Sequence, residues 1–95
     1  MTEHQEKVLN VLYKLRETTP FTSLRLYGRN YIPEKFLLAV PGEYTPAVVT
    51  NDQYRKVLVM MTQRKPSWAL VKVLTGHGYE TRRYPDYLLI SWSNT

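Results

Sequence analysis

The segment TNDQYRKVLVMM, residues 50–61, decides between two folds for this chain. Thr50 and Gln53 have the spacing of a helix capping box, in which the two side chains satisfy backbone N–H groups at the start of a helix. Apolar or aromatic side chains then recur at helical spacing, at Tyr54, Val57, Leu58 and Met61. The rival is a buried strand over 57–61, because a short apolar run fits both structures. The capping spacing favours a helix at about 51–63.

Two further helices are predicted on either side of this segment. Thr2 and Gln5 repeat the capping-box spacing, and an apolar stripe follows at Val8, Val11, Leu12 and Leu15. Pro20 ends this helix, which we place at 3–18, because proline disfavours helical geometry in the preceding residue. Pro66 suits the first residue of a later helix, and Gly76-His77-Gly78 is typical of a helix C-cap.

The remaining chain is predicted to form β-strands separated by turns. Pro41-Gly42 suits a type II turn, and Pro46 restricts the strand that contains it to the edge of a sheet or to a bulge. The predicted strands are 21–27, 34–40, 44–49, 79–83 and 87–93. In the last of them Leu88, Ile90 and Trp92 share one face, which we expect to be buried. The order α-β-β-β-α-α-β-β, with antiparallel strands, predicts a single α+β domain over residues 1–95.

Composition limits the classes of function. The chain of 95 residues has no cysteine, which excludes a disulfide scaffold and a cysteine-based zinc site. Its start does not resemble a secretion signal, and its longest apolar runs fall far short of the roughly 20 residues of a membrane helix. We therefore expect a cytoplasmic protein that does not enter a membrane. The net charge is +5, and residues 51–95 carry +4 of it, with seven Lys and Arg against three acids. A basic excess favours polyanionic partners.

No motif indicates an enzyme, a metal or another cofactor. The only histidines are His4, in the first turn of a helix, and His77, in a glycine-flanked cap. The acidic residues are scattered, and neither a zinc-protease motif nor a phosphate-binding loop is present. We therefore expect a non-enzymatic protein.

Three segments have a composition suited to binding. The first is the basic start of the helix after Pro66, which offers free N–H groups to phosphate and comprises Arg64, Lys65, Ser67, Trp68 and Lys72. Its alternative is a solvated turn with Trp68 in the core, the commoner position for tryptophan. The second is the tip of the last hairpin, with Arg82, Arg83, Tyr84 and Tyr87, where arginines lie beside aromatic rings. Its alternative is a charged edge that prevents aggregation.

The third segment is the loop around Gly28-Arg29-Asn30, flanked by Tyr27 and Tyr31. Its composition suits a protein interface. Its alternative is a turn whose tyrosines pack on the sheet. In the hairpin, the period of two along a strand sends Arg82 and Arg83 to opposite faces. We therefore expect only one of the two arginines to share a surface with the basic helix start.

About half of the chain resembles winged helix-turn-helix domains. The stretch TEHQEKVLNVLYKL is similar to their first helix, and residues 51–92 give the family's order of helix, turn, helix and basic hairpin. The resemblance implies DNA binding, with the last helix in the major groove. Ser67, Trp68 and Lys72 would then lie near base edges, and Arg82 and Arg83 would contact the backbone as wing residues.

The sequence thus predicts a small nucleic-acid-binding protein, with DNA as the first expectation, that uses its basic C-terminal helix and hairpin. The alternative is a regulator or inhibitor that binds an acidic surface of another protein, as small proteins of viruses do. The predicted edge strand 44–49 can also pair across the axis of a homodimer.

Overall fold

The first helix of the computed structural model, which describes residues 1–93, agrees with the prediction. Helix α1 spans Glu3–Thr18, and Thr2 and Gln5 form the expected capping box. The N–H of Thr19 donates to the carbonyl of Leu15 and closes the last turn. The buried stripe of α1 consists of Val8, Leu9, Leu12 and Leu15.

The second helix, α2, spans Trp68–Gly76 and begins two residues after Pro66. The hydroxyl of Ser67 accepts a hydrogen bond of 3.3 Å from the N–H of Leu70, so Ser67 is its N-cap. His77 is the C-cap, and Gly78 has a φ of +88°. The predicted Gly-His-Gly end of the helix is therefore confirmed, because glycine adopts this left-handed conformation without strain.

The strands form one five-stranded mixed sheet with the order β2-β3-β1-β5-β4. Their bounds are Ser23–Gly28 for β1, Ala47–Thr50 for β2, Lys56–Thr62 for β3, Glu80–Arg83 for β4 and Tyr87–Ser91 for β5. Three neighbouring pairs are antiparallel, as expected, but β1 and β3 are parallel. Strand β4 also runs in the direction of β1 and β3, and α2 is the crossover that a parallel connection needs.

Residues 51–63 are not a helix; they form a tight turn and then β3. The Asn51 carboxamide oxygen accepts hydrogen bonds from the N–H groups of Gln53 and Arg55, at 3.1 and 2.9 Å. Tyr54 has a φ of 61°, which completes the reversal of the chain. The rival strand over 57–61 is thus confirmed. The winged-helix resemblance matched this stretch to the family's second helix, whereas the stretch forms a turn and a strand.

Residues 34–40 are also not a strand. They form a 3-10 turn, Glu34–Phe36, and further turns that bring Phe36 and Val40 onto the sheet. The predicted strand 44–49 begins only at Ala47, directly after Pro46. Because β2 is at the edge of the sheet, the expected restriction by Pro46 agrees with the structure.

The two faces of the sheet are covered differently. Both helices pack on one face, where the larger core includes the side chains of Leu88, Ile90 and Trp92, as expected. On the other face, the segment between β1 and β2 covers β2, β3 and β1 with a smaller core of Tyr27, Phe36, Val40, Val49 and Val59. The α+β class is confirmed. Within residues 1–93, neither helix has the length and apolarity to span a bilayer.

Candidate nucleic-acid interface

The predicted binding residues gather where three parallel-running strands end. Strands β1, β3 and β4 run in the same direction, so their C-terminal residues, Gly28, Thr62 and Arg83, lie at the same end of the sheet. Open α/β sheets bind their ligands at the carboxyl ends of their strands. The segments that follow carry Tyr31, Lys65, Trp68 and Tyr84. We call Tyr31, Lys65, Trp68, Arg83 and Tyr84 the basic-aromatic surface.

The turn between β3 and α2 is held against the end of β1. The buried Thr62 hydroxyl donates a hydrogen bond of 2.6 Å to the carbonyl of Arg64. A Cβ atom at Gly28 would lie 2.9 Å from both the Cα and the N of Lys65. Only glycine permits this approach without a backbone shift, so Gly28 fixes the place at which Lys65 leaves the sheet.

Cations lie over the aromatic rings of this surface. The guanidinium of Arg83 is 4.6 Å from the centre of the Trp68 ring, and the Lys65 ammonium is 5.2 Å from the centre of the Tyr31 ring. Trp68 is 66% exposed, which contradicts the alternative that it belongs to the core. The indole therefore remains largely exposed to solvent although the Arg83 guanidinium lies over its ring. Such pairs combine a charge with a planar surface for stacking.

The hairpin tip adds a second stack beside the first. The rings of Tyr84 and Tyr87 are 4.8 Å apart and nearly parallel, with an angle of 21°. Arg25 from β1 lies over Tyr87, 4.7 Å from its centre. The tip is rigid, because the N–H of Tyr84 donates to the carbonyl of Tyr87 at 2.9 Å.

A small depression joins the hairpin tip to the turn before α2. It is lined by Lys65, Pro66, Arg83, Tyr84, Tyr87 and Leu88. The two segments that sequence analysis singled out separately therefore meet. Lys72 is exposed four residues after Trp68 and extends the surface along the same side of α2.

Three of the predicted residues lie elsewhere. Arg83 pairs with Leu88 on the helix-covered side, whereas Arg82 pairs with Leu89 on the opposite side. The expectation that only one of the two arginines shares the helix start is thus confirmed. Arg64 and Ser67 line a cleft of about 460 Å³ beside the start of α1, which Lys65 also borders, and the Ser67 hydroxyl caps α2.

That cleft contains a hydrogen-bonded pair, His4 Nδ1 and the Tyr44 hydroxyl. Burial lowers the pKa of His4, Glu43 opposes this effect, and Arg64 adds to it. Burial and the neighbouring Glu43 raise the pKa of Tyr44 to about 12. Both side chains are therefore neutral at pH 7, and the cleft has no charged pair at this position.

Sequence reasoning did not include Tyr31 and Arg25 among the site residues. The sequence suggested Tyr31 only as part of a protein-binding loop. The parallel pairing of β1 and β3 brings this loop next to Lys65. The antiparallel pairing of β1 and β5 brings Arg25 over Tyr87.

Comparisons of this chain with protein-family models, with curated proteins and with solved structures give no match.

Proposed function

We propose that this protein binds nucleic acid, without catalysis, through the basic-aromatic surface. The observation that carries the proposal is the exposed Trp68 ring beneath the Arg83 guanidinium, next to Lys65 over Tyr31. Cations that contact phosphates and aromatic rings that stack on bases are the two components of nucleic-acid-binding surfaces.

The charge of the surface supports the same proposal. Among the described residues, the salt bridges join Lys7 to Glu3 and Lys35 to Asp52. Lys65, Lys72 and Arg83 therefore form no salt bridge with a described acidic residue. These three cations belong to the half of the chain that carries +4 of the net charge of +5. Unpaired cations attract a polyanion and release its counterions on binding.

The proposal is tested by the salt dependence of affinity. A labelled oligonucleotide of mixed sequence is titrated with the protein at several salt concentrations, and fluorescence anisotropy reports binding. Three phosphate contacts predict that the logarithm of the affinity falls against the logarithm of salt with a slope of about −2 to −3. An affinity that does not change with salt, or no binding at low salt, would overturn the proposal.

A second candidate function, binding to another protein, is favoured by Leu37 and Leu38. These two side chains are 54% and 101% exposed on the segment between β1 and β2, and neither lines the depression at the hairpin tip. Under this candidate, the double variant L37S/L38S loses a one-to-one complex with a protein while R83A retains it. Under the nucleic-acid proposal, the same double variant keeps its affinity for the oligonucleotide and R83A loses it.

A further inference from the structure

We infer that the basic-aromatic surface accepts single-stranded nucleic acid, with unpaired bases stacked on Trp68 and on Tyr84. This inference rests on the proposed function and names the class of its ligand. Bases inside a duplex are stacked on one another and present only their edges in the grooves. An exposed indole face therefore has little to stack on in a duplex, whereas the face of an unpaired base is free.

Each of the two rings has a neighbouring side chain against it, and Trp68 and Tyr84 are 66% and 37% exposed. Arg83 lies over one face of Trp68, and Tyr87 lies against one face of Tyr84. Arg83 precedes Tyr84 in the chain, its guanidinium lies over Trp68, and Arg83 and Tyr84 line the same depression. A cation is thus available near both rings for a phosphate that links two stacked nucleotides.

Aromatic and basic side chains lie on both sides of the sheet at this end of the strands. Trp68 and Arg83 are on the side of the sheet that carries the helices, whereas Tyr87 and Arg25 are on the other side. The cleft of about 310 Å³ on that side has balanced charges, because Asp52 and Asp86 line it together with Arg25 and Lys35. A duplex bends sharply around the end of the sheet only at a cost in deformation energy, whereas a single strand bends freely.

The stacking surface is fixed in place without a ligand. The approach of Lys65 to Gly28 holds the turn before α2, and the hydrogen bond between Tyr84 and Tyr87 holds the hairpin tip. Because these groups are already ordered, binding does not require the protein to lose much conformational entropy there.

The test compares three ligands of one sequence: single-stranded DNA, single-stranded RNA and the DNA duplex. Anisotropy gives the affinities, and tryptophan fluorescence reports stacking, since Trp68 is 66% exposed and the other tryptophan, Trp92, is 7% exposed. We expect both single strands to bind more tightly than the duplex and to quench the fluorescence. In W68F, which keeps an aromatic ring, binding should remain and the quenching should disappear. A preference between DNA and RNA identifies whether the 2′-hydroxyl is contacted.

Variants with a matched control complete the test. W68A and Y84A should each lose about ten-fold, and up to about a hundred-fold, in affinity for the single strand. Y54A is the control, because Tyr54 is 91% exposed and lines neither the depression at the hairpin tip nor the cleft beside Arg25. Circular dichroism confirms that each variant is folded.

The outcomes separate this inference from the proposed function. Equal or tighter binding of the duplex overturns the single-strand inference and leaves nucleic-acid binding intact. Tight single-strand binding without quenching, together with unchanged affinity in W68A and Y84A, overturns the stacking arrangement. No binding of any of the three ligands at low salt overturns the proposed function itself.

Discussion

The guanidinium of Arg83 lies 4.6 Å from the centre of the Trp68 ring, so the last residue of β4 contacts the first residue of α2. The contact joins the two segments in which the sequence concentrates basic and aromatic residues. It depends on the pleat of β4: the neighbouring Arg82 lies on the other side of the strand and cannot take its place.

The two adjacent arginines are therefore predicted to differ in their effect on binding. R83A removes the cation beside Trp68 and should weaken binding of an oligonucleotide several-fold. The slope of log affinity against log salt should become shallower by about 1, the value for one phosphate contact. R82A removes the same charge from the opposite side and should change the affinity less. Anisotropy titrations of both variants at several salt concentrations measure the difference. Equal losses would indicate a general charge effect and would contradict a role for the Arg83–Trp68 contact.

Gly28 is predicted to be required for both stability and binding. In G28A the new Cβ would lie 2.9 Å from backbone atoms of Lys65, which cannot move away as a flexible side chain would. We expect a loss of about 1–3 kcal/mol in the free energy of unfolding, measured by urea titration, and weaker nucleic-acid binding because Lys65 is displaced.

The matched control for G28A is G76A. Gly76 ends α2, and a Cβ there would meet no atom within 4 Å. Alanine favours a helix more than glycine does, so G76A should keep or raise stability, by up to about 1 kcal/mol. If G28A were as stable as G76A, the close approach to Lys65 would not constrain the turn.

Much of the fold was predictable because the local signals agreed with the tertiary structure. The capping box at Thr2 begins α1, and the left-handed Gly78, directly after the C-cap His77, ends α2. The alternation of Leu88, Ile90 and Trp92 identifies the buried side of β5. Each of these signals acts over a few residues, so the sequence alone contains it.

The parts that were predicted wrongly depend on contacts between distant residues. Thr50 and Gln53 have helix-capping spacing, but Asn51 uses its side chain to close a turn, and β3 then pairs with β1 and β2. Phe36 and Val40 have the apolar character of a strand, but they are buried as a layer over the sheet. The site was only partly predictable for the same reason, since Tyr31 reaches Lys65 through the parallel pairing of β1 and β3.

Ser67 is predicted to act in folding rather than in binding. Its hydroxyl accepts from the N–H of Leu70, so S67A should lower the free energy of unfolding by about 1 kcal/mol. The affinity for an oligonucleotide should stay unchanged, because the Ser67 hydroxyl is engaged in capping α2 and carries no charge. Urea unfolding and anisotropy measure the two effects separately. A loss of affinity at unchanged stability would place Ser67 in the binding surface instead.

His4 is predicted to reduce stability in mild acid. Burial lowers its pKa in the folded chain below the ordinary value of 6.5, so the unfolded chain takes up a proton first as the pH falls. The free energy of unfolding should therefore decrease as the pH drops below about 6.5, and H4Q should lose less stability than the wild type over the same interval. Urea titrations of both proteins at about pH 7.5 and about pH 5.5 check this difference, in a range above the titration of most carboxyl groups. A wild type that gains stability relative to H4Q in acid would show that Glu43 outweighs burial and Arg64 at this site.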